Sequence, residues 1–259
     1  MPNKPAAFGR KQTIGSITTD SRDGHGTVHN QLLLRLPQNV CKELLQRSHF
    51  THIPVHTVLN EVNRPIEDLY FIDGGLASVL TVMKDGKSVE VGLTGREGFV
   101  GTPVIAGLKT SPVRVIMQVT GTAHRISVKD MEAALEDFPV LAKTLSRFSQ
   151  EMTLQAVQIA ACNRIHEVDA RLARWLLMSQ DRIGGSLVPL TQEFLAHMLG
   201  TRRASVTIAA GALQKAGLIS YMRGELKIEN RQQLENTACE CYGALRRQLN
   251  AWKSESGSD

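Results

Sequence analysis

Near Ser127 the apolar residues of this chain change their spacing, and that change limits the folds open to it. Between about Thr57 and Ser127 the sequence is a succession of short segments rich in β-branched and apolar residues: TVLN, DLYFIDGGLASVLTVM, KSVEVGLTG, GFVGTPVIAG and VRVIMQVTGTAHRIS. Glycine-containing or charged turns are expected between them, as at Asp73-Gly74-Gly75 and Asp85-Gly86. Short strands punctuated in this way predict a β-sandwich or barrel. Beyond Ser127 the apolar residues recur at helical spacing. Strands first and helices afterwards make an α+β chain. Ahead of the strands, LLLRLPQNVCKELLQRS reads as short helix interrupted by Pro37. Residues 1–30 are polar, rich in Gly, Ser, Thr and Asp, and are expected to be a flexible tail.

In the helical half, VKDMEAALED predicts one helix. Asp137 can cap the next, with Pro139 tolerated in its first turn. Along that long helix Leu141, Leu145, Phe148, Met152, Gln155 and Ile159 alternate in steps of four and three, the spacing of a coiled-coil seam. Such a seam suits either packing on the chain's own β-domain or pairing with a second copy. The expectation taken forward is a dimer interface. IHEVDARLARWLLMSQDR then predicts a third helix with Val168, Leu172, Trp175 and Leu176 on one face, and GGSLVPLT breaks it.

TQEFLAHMLG has the marks of a short helix, with Thr191 as N-cap and Gly200 as a left-handed stop. TRRASVTIAAGALQKAG begins another within a few residues, with a buried stripe expected at Val206, Ala209, Ala210 and Leu213. Helix, tight glycine turn and helix form a helix-turn-helix. Arg202 and Arg203 stand at the N-terminal end of the second helix, where the dipole disfavours cations unless an anion is near. DNA supplies that anion: the start of such a helix enters the major groove, and a guanidinium pairs with guanine O6 and N7. The expected DNA-binding residues are Thr191, Gln192, Thr201, Arg202, Arg203, Ser205, Thr207 and Arg223, with double-stranded DNA as partner. LISYMRGELKI predicts a β-hairpin wing around Arg223-Gly224, from which Arg223 and Lys227 can grip the backbone.

The 259 residues carry 30 Lys and Arg against 25 Asp and Glu, a formal charge of +5. That basicity permits a polyanionic partner without requiring one. No run approaches the roughly 18 apolar residues of a membrane span, so no membrane partner is expected. Four scattered cysteines do not make a disulfide scaffold, and a cytoplasmic location is the expectation. No nucleophile–base set, metal motif or phosphate loop is evident, so the chain is not expected to be an enzyme.

In order, the chain offers a β-domain, a long helix, a helix-turn-helix and a wing. This resembles the Crp/Fnr family of bacterial transcription regulators from about Gln31 to Ile228. NRPIEDLYFIDGGLASV with GREGFVG looks like that family's cyclic-nucleotide-binding β-roll. LTQEFLAHMLGTRRASVTIAAGALQKAGLI looks like its DNA-binding signature. The resemblance implies an N-terminal double-stranded, jelly-roll-like β-roll, a long dimerisation helix and a C-terminal winged helix-turn-helix. The division is 1–30 tail, 31–136 sensor, 137–163 dimerisation helix, 164–235 DNA-binding domain and 236–259 C-terminal extension. A homodimer on a near-palindromic operator is implied, and an activator would also need a surface for RNA polymerase. Arg203 lies where the family has its guanine-reading arginine. Ala204 replaces a glutamate common there, and Ile208 replaces a second arginine.

Family members that bind cyclic AMP carry Gly-Glu-Leu and then Arg-Ser/Thr-Ala. Here Gly101 is followed by Thr102 and Pro103, and Ser111-Pro112-Val113 stands at the arginine triplet, with Arg114 near. An effector pocket is expected around Gly101, Thr102, Ser111 and Arg114, with cyclic AMP bound weakly or not at all. The N-terminal cysteines of the family's iron–sulfur sensors are lacking, so no such cluster is expected. No cofactor or metal is predicted. Cys239-Glu240-Cys241 is expected to pack at the C-terminus, a redox pair or half of a metal site across a dimer being the alternative. Cys162 and His166, one turn apart, are expected to be a buried thiol and an interdomain histidine. A ligand or redox sensor whose output is a protein contact is the alternative function.

Overall fold

The computed structural model describes residues 27–184, 187–189, 192–222 and 225–256. Two short helices, α1 (Gln31–Arg35) and α2 (Gln38–Gln46), precede the strands β1 (Ser48–Ile53), β2 (Val58–Asn60), β3 (Asp68–Val82), β4 (Ser88–Thr94), β5 (Phe99–Val100) and β6 (Arg114–Ser127). A single turn of helix, α3 (Thr102–Ile105), separates β5 from β6. The strands form one antiparallel sheet in the order β1-β6-β3-β4, with β2 paired to β6 and β5 to β3. Asp85-Gly86 is a turn as expected, with Gly86 at φ +84°. Asp73-Gly74-Gly75 is not: β3 runs straight through it, and the register with β6 shifts there instead. Gly75 sits at φ +86°, and a Cβ on it would lie 2.6 Å from the Val119 carbonyl oxygen. The glycines thus allow a bulge in a continuous strand.

The expectation of a tail running through residue 30 is corrected at residues 27–30. Asp73 Oδ1 accepts from the backbone N–H groups of His29 and Asn30 at 2.7 and 2.9 Å. The buried Asn30 amide donates to Ile72 O and Gly98 O, while its oxygen caps α1 at Leu32 and Leu33. Residues 27–30 therefore belong to the fold, and residues 1–26 lie outside the described residues.

After the sheet come α4 (Val128–Asp137) and the 27-residue α5 (Pro139–Ile165). Asp137 does not cap α5: Phe138 holds that position, and Asp137 accepts from Arg47 at 2.8 Å. The four–three seam of α5 turns inward. Leu141, Leu145 and Phe148 are buried among Leu33, Leu44, Phe99 and Met131, and the Phe148 and Phe99 rings lie 5.3 Å apart. A Cβ on Gly98 would overlap the Phe148 ring, so that glycine is the notch that admits it. Gln155 Oε1 accepts from Leu93 N at 3.0 Å and its Nε2 donates to Leu93 O at 3.2 Å, adding a rung to β4. Ile159 is buried and Met152 half-buried. The expectation that these six residues form a dimer interface is corrected: they pack within the chain itself, against the sheet and the helices α1, α2 and α4. Outward along α5 runs a different row, Ser146, Gln150, Thr153, Val157 and Ala160, again at four–three spacing.

The remaining elements are α6 (Val168–Ile183), β7 (Leu187–Pro189), α7 (Gln192–Met198), α8 (Arg203–Lys215), β8 (Ile219–Met222), β9 (Glu225–Ile228), α9 (Arg231–Thr237) and α10 (Glu240–Ser256). Strands β7, β9 and β8 form a small antiparallel sheet. Helix α6 is buried on all sides from Arg171 to Ser179, because β3 and β4 flank it on one side and α8 and α9 on the other. Leu76, Leu80 and Leu93 of the large sheet share one apolar core with Leu172, Trp175, Leu195, Val206 and Leu213. Glu90 lies within this seam. Its Oε1 accepts from Trp175 Nε1 at 2.8 Å, and its Oε2 accepts from Ser78 Oγ at 2.6 Å and Gln118 Nε2 at 3.1 Å. Burial pushes its carboxyl up to about 7, against the pull of those hydrogen bonds.

Candidate nucleic-acid interface and ligand cavity

Helix α7 ends in a left-handed glycine cap. Gly200, at φ +57°, donates to His197 O, and Thr201 N reaches back to Ala196 O at 3.0 Å. Arg171 donates through Nη2 to the Leu199 carbonyl and so holds the same turn to α6. Arg202 is the extended cap residue of α8 and Arg203 its first helical residue. Val206, Ala209, Ala210 and Leu213 are buried, as their spacing predicts. That packing turns Arg202, Arg203, Thr207 and Ile208 outward and leaves Thr201 and Ser205 half-buried. Among the described residues, neither arginine has an ion-pair partner, and the first turn of α8 carries no acid. Two guanidinium groups and the unsatisfied N–H groups of a helix start together make a surface suited to an anion. Thr207 Oγ1 donates to Arg203 O at 3.0 Å. Ile208, 75% exposed, adds an apolar contact to the same face.

Of the other expected DNA contacts, Thr191 and Arg223 lie outside the described residues, and Gln192 opens α7. Lys227 carries its own counter-ion, Glu229 at 2.8 Å, which also accepts from Ser220.

A cavity of about 580 Å³ opens between the sheet, α3 and α5, and Gly101, Thr102 and Ser111 line it with Asn60, Ser149 and Thr153. Gly101 is at φ +117°, with Leu69 where a Cβ would stand. Among the described residues lining the cavity none is charged. Arg114 does not line it and is corrected as a pocket residue: its Nε donates to both Glu61 oxygens at 3.1 Å, with Nη2 at 2.9 Å. That guanidinium holds the Glu61 carboxyl below the usual carboxylate range.

A second cluster joins two pairs of residues that sequence left apart. The ligating atoms of Cys162, His166, Cys239 and Cys241 all lie within 4.8 Å of one another. All four cysteines of the chain are free thiols. The hydrogen bond with Cys239 holds the Cys162 thiol well below the ordinary thiol range and pushes Cys239 up in return. Nothing in the sequence spacing could have found this: 77 residues separate Cys162 from Cys239.

The Crp-like helix-turn-helix domain family matches residues 170–237, a span that opens in α6 and closes with α9. The C-terminal part of the chain is a Crp-like helix-turn-helix domain. No curated protein matches the sequence. Among solved structures, a protein from Eubacterium rectale assigned to the Crp/Fnr family of transcriptional regulators is 17% identical, with TM-score 0.63 over 80% of this chain and 97% of that one. The c-di-GMP-responsive global regulator CLP of Xanthomonas campestris is 18% identical, with TM-score 0.62 over 74% of this chain and 99% of its own. FixK2 of Bradyrhizobium japonicum is 16% identical, with TM-score 0.62 over 74% and 98%. At these identities the likeness is one of fold: an antiparallel sheet, a long helix and the Crp-like domain in the same order. No helix among the described residues is long and apolar enough to cross a membrane.

Proposed function

We propose that this chain is a sequence-specific DNA-binding transcription regulator that works as a homodimer on a near-palindromic operator. The observation that carries the proposal is the exposed Arg202–Arg203 pair at the start of α8, without an acidic partner among the described residues and directly behind the Gly200 turn. Arg203 reads a guanine edge, Arg202 and Thr201 hold phosphate, Ser205 meets backbone or base, and Ile208 suits a thymine methyl. The outward row of α5, in which Val157 is 65% exposed, is the face that pairs with a second copy. Apart from Gln150, its side chains are small and allow close approach of the two helices.

The cavity supports a sensor that does not use cyclic AMP. A cyclic phosphate needs a cation to replace its lost water. The described residues of the cavity offer hydroxyls and two amides, and Arg114 is held by Glu61. An uncharged effector fits this lining better. Calorimetry should find no micromolar cyclic AMP binding.

Selection from a random DNA pool at physiological salt tests the main reading. A two-fold palindrome should be enriched, with half-sites about one helical turn apart. Binding that shows no sequence preference and falls away with salt would reject it.

A further inference from the structure

We propose that Cys162, His166, Cys239 and Cys241 bind one zinc ion in a closed tetrahedral Cys3His site. Tetrahedral thiolates at about 2.3 Å from zinc stand roughly 3.8 Å from one another. Here the sulfurs of Cys162 and Cys239 are 3.4 Å apart, and Cys241 Sγ is 3.6 Å from His166 Nδ1. The donors are therefore already close to the edges of such a tetrahedron. An iron–sulfur cluster divides its four ligands among two or four iron atoms and so spreads them wider than a single ion does.

The groups around the four donors point the same way. His166 Nε2 pairs with Glu240 Oε2 at 2.9 Å, which fixes the ring and turns Nδ1 toward the sulfurs. A carboxylate behind a ligating imidazole is the usual outer partner of zinc-bound histidine. Gln158 Nε2 donates to Cys241 Sγ at 3.1 Å, a hydrogen bond suited to a thiolate. The three buried thiols keep apart from the larger apolar cores and pack with one another and Ala170. Cysteines serving as small apolar filler would be dispersed among aliphatic side chains. A Cys162–Cys239 disulfide would account for two of the four groups and leave Cys241, His166 and Glu240 without a purpose.

The backbone holds the donors where three helices meet. Cys162 is in the last turn of α5 and His166 is its C-terminal cap. Cys239 follows the cap of α9, and Cys241 lies in the first turn of α10. With four protein ligands no position is left for substrate, so the ion is structural. It fastens α10 to the end of α5, at the joint where α5 passes into α6. Uptake of zinc expels a proton from each thiol that still carries one and leaves the imidazole neutral.

The test uses the full chain, purified under reducing conditions, and its readout is independent of DNA binding. Elemental analysis should find about one zinc per chain. Cobalt(II) in its place should give thiolate-to-cobalt charge-transfer bands and the intense visible bands of a tetrahedral ion, both lost when zinc is added back. Cys241→Ser should release the metal. Glu240→Gln, which removes no donor, should weaken zinc retention about 10- to 100-fold. The cobalt spectrum requires no variant, so a misfolded Cys241→Ser would not decide the matter. Reduced wild-type protein that is offered zinc and retains less than roughly one ion per ten chains, with no charge-transfer band from cobalt, would overturn the site. So would zinc that stays bound in a folded Cys241→Ser, or a native Cys162–Cys239 disulfide that persists when zinc is supplied.

Discussion

Glu90 is an acid set in an apolar seam, and its protonation couples to stability with a definite sign. Its carboxyl titrates at about 7 in the folded chain against an ordinary 4.5. The folded state therefore binds the proton more tightly than the unfolded one. This contribution is fully present below about pH 4.5 and is lost as pH rises through about 7. Glu90→Gln should flatten the fall in melting temperature between those limits, an effect of a few kcal/mol at most. Wild type and variant melting in parallel across that range would show that Glu90 does not titrate there. At the start of α8, Arg203→Ala should cost about 1–3 kcal/mol of operator affinity and relax the preference at one base pair. Arg202→Ala should weaken all sequences alike and reduce the salt slope by about one. Competition binding on single-base operator variants separates the two. Equal loss on every sequence from Arg203→Ala would take the reading role away from it.

At the scale of the element, α5 has two faces at the same spacing, and substitutions should separate them. Leu145→Ala empties a wholly buried site and should cost about 2–5 kcal/mol of stability without altering the oligomeric state. Val157→Arg, on the exposed row, should leave the melting temperature near that of wild type and shift sedimentation toward monomer. If Leu145→Ala dissociates a dimer of normal stability, the inward placement of the seam is wrong. Periodicity revealed that α5 is a helix and that one stripe is apolar, yet it cannot say what covers the stripe. Helix α8 was more legible. Its buried residues alternate with a polar face, and its start is marked by Gly200 and two arginines, all local signals. β3 was less so, because Asp73-Gly74-Gly75 has the composition of a turn, while long pairing with β6 keeps the strand extended through it. The Cys3His cluster was legible only as two separate pairs, since they meet only after α9 and α10 fold back on α5.

The molecule as a whole has no clean division between its sheet and its Crp-like domain. Leu76, Leu80 and Leu93 lie in the same apolar core as the helices of that domain, and Trp175 donates from one side to Glu90 on the other. Denaturation by urea should therefore give one transition, coincident by far-UV circular dichroism and by tryptophan fluorescence. Trp175→Phe strips a donor from a buried carboxylate and should lower that single midpoint by an amount equivalent to about 1–3 kcal/mol. Two separated transitions would mean that the halves fold on their own.

The packing of Gly200 has a consequence for how such a chain can be recombined. A Cβ at this position would stand 3.0 Å from Val89 Cγ2, so the elbow between the two helices of the helix-turn-helix rests directly on β4. The Crp-like domain is then a poor cartridge for transplantation. Grafted behind a foreign sheet, it would bring an elbow shaped to one particular strand, and a bulkier neighbour at Val89 would lift it. A working chimera should carry β4 and the helices together, inheriting strand and elbow as one part.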